Sequence, residues 1–218
     1  MAITTEPQKF LQLLAFMSPA FPVGSFAYSH GLEWAIDDGK VKSADDVREW
    51  IKSLLVHGSG WNDAVLFAIA YDASDEVREE IDELALALAV SRERALETSE
   101  LGQSFGKAAA TLFADKSTNF QTYPVAVAVA CQIACIDKRA GLLAYLQAFS
   151  NNLIAVAVRL IPLGQTKGLE IMRDLMPDIV TTAERALKAS VDDLGSSTLL
   201  SDISAMRHES QYSRVFRS

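Results

Sequence analysis

Cysteine, histidine and aromatic residues are scarce in this chain, and each scarcity removes a class of chemistry. Of 218 residues only Cys131 and Cys135 are cysteines, too few for a disulfide framework. Four apart on one predicted helix, they share a face, but helix geometry aligns their Cβ vectors poorly for a bridge. They read as small buried hydrophobes. The three histidines, His30, His57 and His208, are not spaced to share a metal with a cysteine or a carboxylate. No HExxH, CxxC, Walker or Gly-x-Ser-x-Gly pattern occurs. A catalytic triad assembled across the fold stays open, because triads are recognised by geometry and not by local sequence.

Long apolar runs are missing too. Val125–Cys131 and Leu153–Val158 fall far short of the ~20 residues that cross a bilayer. MAITTEPQKF has no basic stretch ahead of an apolar one, so a secretory signal is not expected. These points lead to the expectation of a cytoplasmic protein with no membrane partner. Half of the residues are hydrophobic while only 8% are aromatic, so alanine and leucine make up much of the apolar set. That balance favours helix over strand.

The length fits one domain with a sizeable core. A net charge of -8 argues against nucleic acid as a partner. The charge is uneven: Arg207, Arg214 and Arg217 against Glu209 leave residues 207–218 at +2 and the rest at -10. We therefore expect a helical body over 1–206 and a basic tail over 207–218 that stays disordered until a partner binds.

The least filler-like stretch is Ser18–Glu33, SPAFPVGSFAYSHGLE. Pro19 and Pro22 fix the backbone and push their predecessors toward extended conformations. Gly24 permits a turn, after which Ser25 is expected to cap a helix carrying Phe26, Tyr28, His30 and Glu33 to about Asp37. Such a segment suits either a helix–helix connector or the presentation of side chains to a partner.

Elsewhere helical spacing dominates. Phe10, Leu13, Leu14 and Met17 share one face. Ser43 reads as an N-cap with Asp45 and Asp46 behind it, and Val47, Trp50, Ile51, Leu54 and Leu55 follow up to a stop at 57–60. Further helices are expected at 62–71, from Ser74 along Val77, Ile81, Leu84 and Leu88, and along Leu101, Phe105, Ala108 and Leu112. The polar stretch SRERALETSE at 91–100 reads as a solvated face or as the lining of a partner contact. PVAVAVACQIACI at 124–136 alternates like a strand, yet Pro124 and the alanines favour a buried helix. A long helix through Leu142, Leu146, Phe149 and Leu153 stops before Pro162, and its Arg159 needs a partner. PLGQTKG at 162–168 is read as a loop, followed by helices at 168–176 and 178–190 with Pro177 between them. From Asp192 the chain loosens, with a short amphipathic piece through Met206.

Three segments carry a resemblance: SPAFPVGSFAYSHGLE near the start, LIPLGQ at 160–165, and SAMRHESQYSRVFRS at 204–218. In order and spacing they resemble the UreF family of urease accessory proteins, and the similarity runs over essentially the whole chain. Pro19, Pro22, Gly24, Ser25, Gly31 and Glu33 fall on the family's first motif. Pro162, Gly164 and Gln165 fall on the second. Arg207, His208, Glu209, Gln211, Tyr212, Ser213, Arg214, Phe216 and Arg217 fall on the third, and Arg159 sits where the family favours a basic residue.

The resemblance implies an all-α bundle of roughly nine to ten helices and a non-enzymatic chaperone of nickel insertion without a cofactor of its own. It implies a homodimer that joins UreD (also called UreH) and the GTPase UreG to apo-urease. Pro19, Pro22, Gly24, Ser25, Tyr28, Glu33, Arg159, Gln165, Arg207, His208, Glu209, Gln211, Tyr212, Arg214, Phe216 and Arg217 would then bind partners. A regulator of GTP hydrolysis by UreG, and an enzyme with a triad built across helices, are the rival readings.

Overall fold

The computed structural model describes residues 6–112 and 120–218; the first five residues, part of the stretch read for a signal, lie outside them. Among the described residues there are ten α-helices and no strand. In chain order they are α1 (Pro7–Phe16), α2 (Leu32–Asp37), α3 (Ala44–His57), α4 (Ser59–Asp72), α5 (Asp75–Ala87), α6 (Arg92–Ala110), α7 (Tyr123–Ile133), α8 (Lys138–Leu160), α9 (Gln165–Ala186) and α10 (Leu199–His208). The all-α expectation holds.

The centre is built from α4 and α7, with α6, α8 and α9 packed around them. Every residue of α7 from Pro124 to Cys131 is buried, so the alternating Val/Ala segment is a core helix. A period of two in valine and alanine buries all round as easily as one face, because both side chains are small. Phe105 on α6 meets Phe16 edge-on at 5.5 Å, and Phe21 packs beside both. Such aromatic pairs add about 0.5–1.5 kcal/mol beyond their area. The α8 helix, at 23 residues, is long and apolar enough by length and composition to cross a membrane. Half of its apolar window is nevertheless buried inside the molecule. The contiguous-run reading missed it because polar residues such as Ser150 and Asn152 interrupt the sequence.

Several expected boundaries are corrected. Ser25 does not start the helix that carries Glu33. A 3-10 turn spans Ser25–Ala27, Tyr28 is extended, and His30 and Gly31 both take positive φ, 53° and 74°. Only then does α2 begin. Gly31 is needed there twice over, since a Cβ would also lie 2.6 Å from the Ala205 backbone nitrogen on α10.

The expected pair of helices at 168–176 and 178–190 is one helix, α9. Its buried stripe of Ile171, Met172, Leu175, Ile179 and Ala183 continues past Pro177, and that packing outweighs the hydrogen bond the proline removes. The loop before it is correspondingly shorter, ending at Gly164. The stretch 91–100 is no solvated face, since Arg94, Glu97 and Thr98 are buried. Cys131 is buried, and burial pushes its thiol up to about 12. Cys135 lies beyond the end of α7 with φ 51° and is exposed, so the two cysteines share no helical face.

Candidate partner-binding site

Along α6, Glu93, Glu97 and Glu100 recur at i, i+4 and i+7, which places them on one helical face. The last residues of the chain lie along that face. Arg214 Nη1 reaches Glu93 Oε1 at 2.6 Å. Ser218 Oγ donates to Glu97 Oε2 at 2.9 Å. Arg217 forks onto Glu100, with Nη1 and Nη2 at 2.7 and 3.2 Å from its two oxygens. Three acidic groups thus each hold one group of the tail, which explains why the basic end of an acidic chain settles there.

Glu33, on the first turn of α2, closes the other side. Only 5% exposed, it accepts the backbone N–H groups of Val215 at 2.6 Å and Phe216 at 2.8 Å. Its Oε2 also lies 3.1 Å from His208 Nε2. The other nitrogen of that fully buried ring, Nδ1, lies 2.6 Å from Glu93 Oε2. His208 therefore ties α10 to α2 and α6 together. Charge-assisted bonds of this kind are the strong class of hydrogen bond.

The opening stretch meets the same tail. Arg217 N–H donates to Ala27 C=O at 2.7 Å, and Ser29 N–H donates to Ser218 C=O at 2.6 Å. Ser29 Oγ also bonds the Ser218 carbonyl. Tyr28 donates its hydroxyl to Glu100 at 2.5 Å while the Arg217 guanidinium stacks near its ring, 5.7 Å from the centroid. Burial, and then Glu100 beside it, hold the Tyr28 phenol well above its ordinary value. Asn152 on α8 fastens the Ser25 carbonyl at 2.9 Å.

Below the tail, burial works against charge on Glu97. Arg94 at 2.5 Å and His30 at 2.7 Å override it and bring the Glu97 carboxyl down to about 2. The Arg94 guanidinium is disfavoured by burial but is held above its ordinary value by Glu97 and Asp63.

The structure brings Tyr28, Glu33, His208, Arg214, Phe216 and Arg217 into one junction. Arg159 joins it, its guanidinium 5.5 Å from the centroid of the buried Phe216 ring. Glu209 is beside it and accepts the Arg92 N–H at 2.8 Å, and Gln211 N–H donates to His208 C=O. Pro19, Pro22 and Gly24 shape the loop before the 3-10 turn. Arg207 and Tyr212 point outward, Tyr212 fully exposed. No described contact links Gln165, the first residue of α9, to the tail. Sequence reasoning missed Glu93, Glu97, Glu100, Ser29 and Asn152; the i, i+4, i+7 carboxylate spacing was the signal for the first three.

The comparisons bear on the same regions. A model of the UreF family matches residues 41–176. The urease accessory protein UreF of Ruegeria pomeroyi is 43% identical over 219 residues, covering the whole of both chains. That of Roseobacter denitrificans is 43% identical over 216 residues, or 99% of this chain and 97% of its own. This chain belongs to the UreF family. It is an accessory protein of urease maturation and not an enzyme. The family model covers neither Glu33 nor 207–218; the full-length relatives span both.

Proposed function

We propose that this chain is the scaffold that joins UreD and the GTPase UreG to apo-urease during GTP-dependent nickel insertion, acting as a homodimer in the cytoplasm. The observation that carries the reading is the junction itself. Glu33, Glu93, Glu97 and Glu100 hold the inner side of the tail and leave its outer side free. That outer side carries Arg207, Tyr212 and Val215, and α10 adds the exposed Leu199, Ile203 and Met206 at helical spacing. Exposed aromatic, arginine and aliphatic side chains on a rigid base are typical interface anchors.

The tail is the element on which UreD acts. Among its last six residues only Phe216 is a buried hydrophobe, so the seat is polar and gains little from area. In the free chain residues 210–218 open more easily than the helices do, and UreD holds them on the seat. Pro19, Pro22, Gly24 and Ser25 support that surface from the other side.

Hydrogen exchange with and without UreD tests this. The amides of Val215 and Phe216 should exchange faster in the isolated chain than in the complex. Co-purification with UreD and UreG, followed by mass measurement, should give an assembly that Tyr212→Ala weakens without changing the melt of the free chain. Full assembly by a chain lacking residues 207–218 would rule the reading out.

A further inference from the structure

Where α4 and α6 meet, one cavity under α10 and one against α8, each of about 50 Å³, share His30, Asp63, Arg94 and Thr98 as walls. Their polar groups are only half used by the protein. His30 Nε2 donates to Glu97 Oε1 at 2.7 Å, but Nδ1 of the same ring is buried and has no partner among the described residues. Asp63 Oδ2 accepts from the Tyr145 hydroxyl at 2.9 Å, and the Asp63 carboxyl lines both cavities. Arg94, which lines both cavities, has Nη1 2.5 Å from Glu97 Oε2 and 3.2 Å from His30 Nε2. Burial raises the Asp63 carboxyl above its ordinary value, against the opposing pull of Arg94 and Tyr145.

Buried polar atoms in folded proteins are almost always hydrogen-bonded, and leaving one unmade is costly. A cavity holds water when it offers a water's volume, roughly 10–15 Å³, with two to four polar partners; apolar cavities stay dry. Both conditions are met here. We propose that the two cavities form one internal hydration site, with an ordered water donating to His30 Nδ1 and bridging to Asp63 or Arg94. The ligand is water and not a metal ion, because no described group of three or more His, Cys, Asp or Glu residues is arranged to hold one. It is not an anion either, since Glu97 already neutralises Arg94.

The water has a defined role. A hydrogen bond that Nδ1 accepts from the water fixes the ring as the tautomer with hydrogen on Nε2. That hydrogen goes to Glu97, and Glu97 in turn accepts the Ser218 hydroxyl. The hydration site thus sets the floor on which the tail rests. This inference does not depend on which proteins the chain assembles.

Crystals of the full chain, one native and one under xenon pressure, decide it. The expected result is a well-ordered water within ~2.6–3.2 Å of His30 Nδ1 and no xenon in either cavity. Density with no water in reach of Nδ1, or xenon bound beside His30 as in a dry apolar cavity, would overturn the proposal.

Discussion

Two neighbouring helices, α6 and α7, reach the same depth in the molecule by different routes. From Pro124 to Cys131 α7 buries only apolar side chains. Its stability comes from area and close packing. On α6, Leu101, Phe105 and Ala109 do the same work, but Arg94, Glu97 and Thr98 are buried beside them. Those groups are favourable only while paired, because a lone charge out of water is expensive. The difference teaches where the molecule is tolerant. A core residue on α7 can be trimmed at a graded cost, whereas a charge removed from α6 strands its partner.

The comparison breaks most sharply at Glu97. Glu97→Ala takes from the buried Arg94 the carboxylate that contacts it, and breaking such a pair costs about 3–5 kcal/mol. For a chain of this size the melting midpoint should fall by roughly 10 °C. The α7 control Val127→Ala should cost about 2 kcal/mol in lost area and cavity. If thermal melts followed by circular dichroism put Val127→Ala below Glu97→Ala, pairing is not what holds α6.

Acidity sharpens the same point. The Glu97 carboxyl is at about 2 in the fold against an ordinary 4.5, so the unfolded chain takes up its proton first. The stability it contributes is present above pH 4.5 and is lost as pH falls toward 2. The gap between the unaltered chain and Glu97→Gln should therefore be full at pH 6 and narrow progressively below pH 4.5. A gap independent of pH between 6 and 3 would show that Glu97 acts by shape and not by charge.

Glu33 stands at the border of the two regimes, because its ligands belong partly to a tail that can lift away. Glu33→Ala removes the acceptor of Val215 N–H, Phe216 N–H and His208 Nε2. Each donor left buried costs about 1–3 kcal/mol. Once the tail swings to solvent, its two amides are satisfied by water, and only His208 remains affected. The expected net loss is about 2 kcal/mol, with faster proteolysis confined to residues 210–218. Unchanged cleavage there would show that Glu33 does not seat the tail.

How far the sequence revealed this arrangement follows the same division. The apolar helices were legible because spacing alone specifies them: α3 with Ser43 at its cap, α7 behind Pro124, α8 up to Pro162. Where buried stripes overrode a local signal, as at Pro177 in α9, reading residue by residue divided one helix into two. Where charge was buried, polarity misled. Residues 91–100 look solvated until Glu33, His208 and the tail, 60 and more positions away, are brought against them. No local rule reports that His30 and Gly31 will take left-handed backbone and start α2 seven residues after Ser25. The family motifs marked Glu33 and 207–217 as important, but not the glutamates that receive them.

The rim of the junction gives the smallest effect. Arg217 and Glu100 form a bidentate pair, but the Arg217 side chain is 56% exposed and that of Glu100 38%. Water and salt screen such a pair, and exposed ion pairs contribute about 0–1 kcal/mol. A double-mutant cycle of Arg217→Ala and Glu100→Ala should yield a coupling energy below ~1 kcal/mol that shrinks further at high salt. Tyr28 shares the Glu100 oxygen at 2.5 Å, so Glu100→Ala alone costs more than Arg217→Ala alone, and the excess is the phenol's. Repeating the cycle in a Tyr28→Phe background should remove that excess and leave the coupling as it was. A coupling above ~2 kcal/mol that persists in salt would place Arg217 with the buried pairs of α6, and the rim would then belong to the body of the fold.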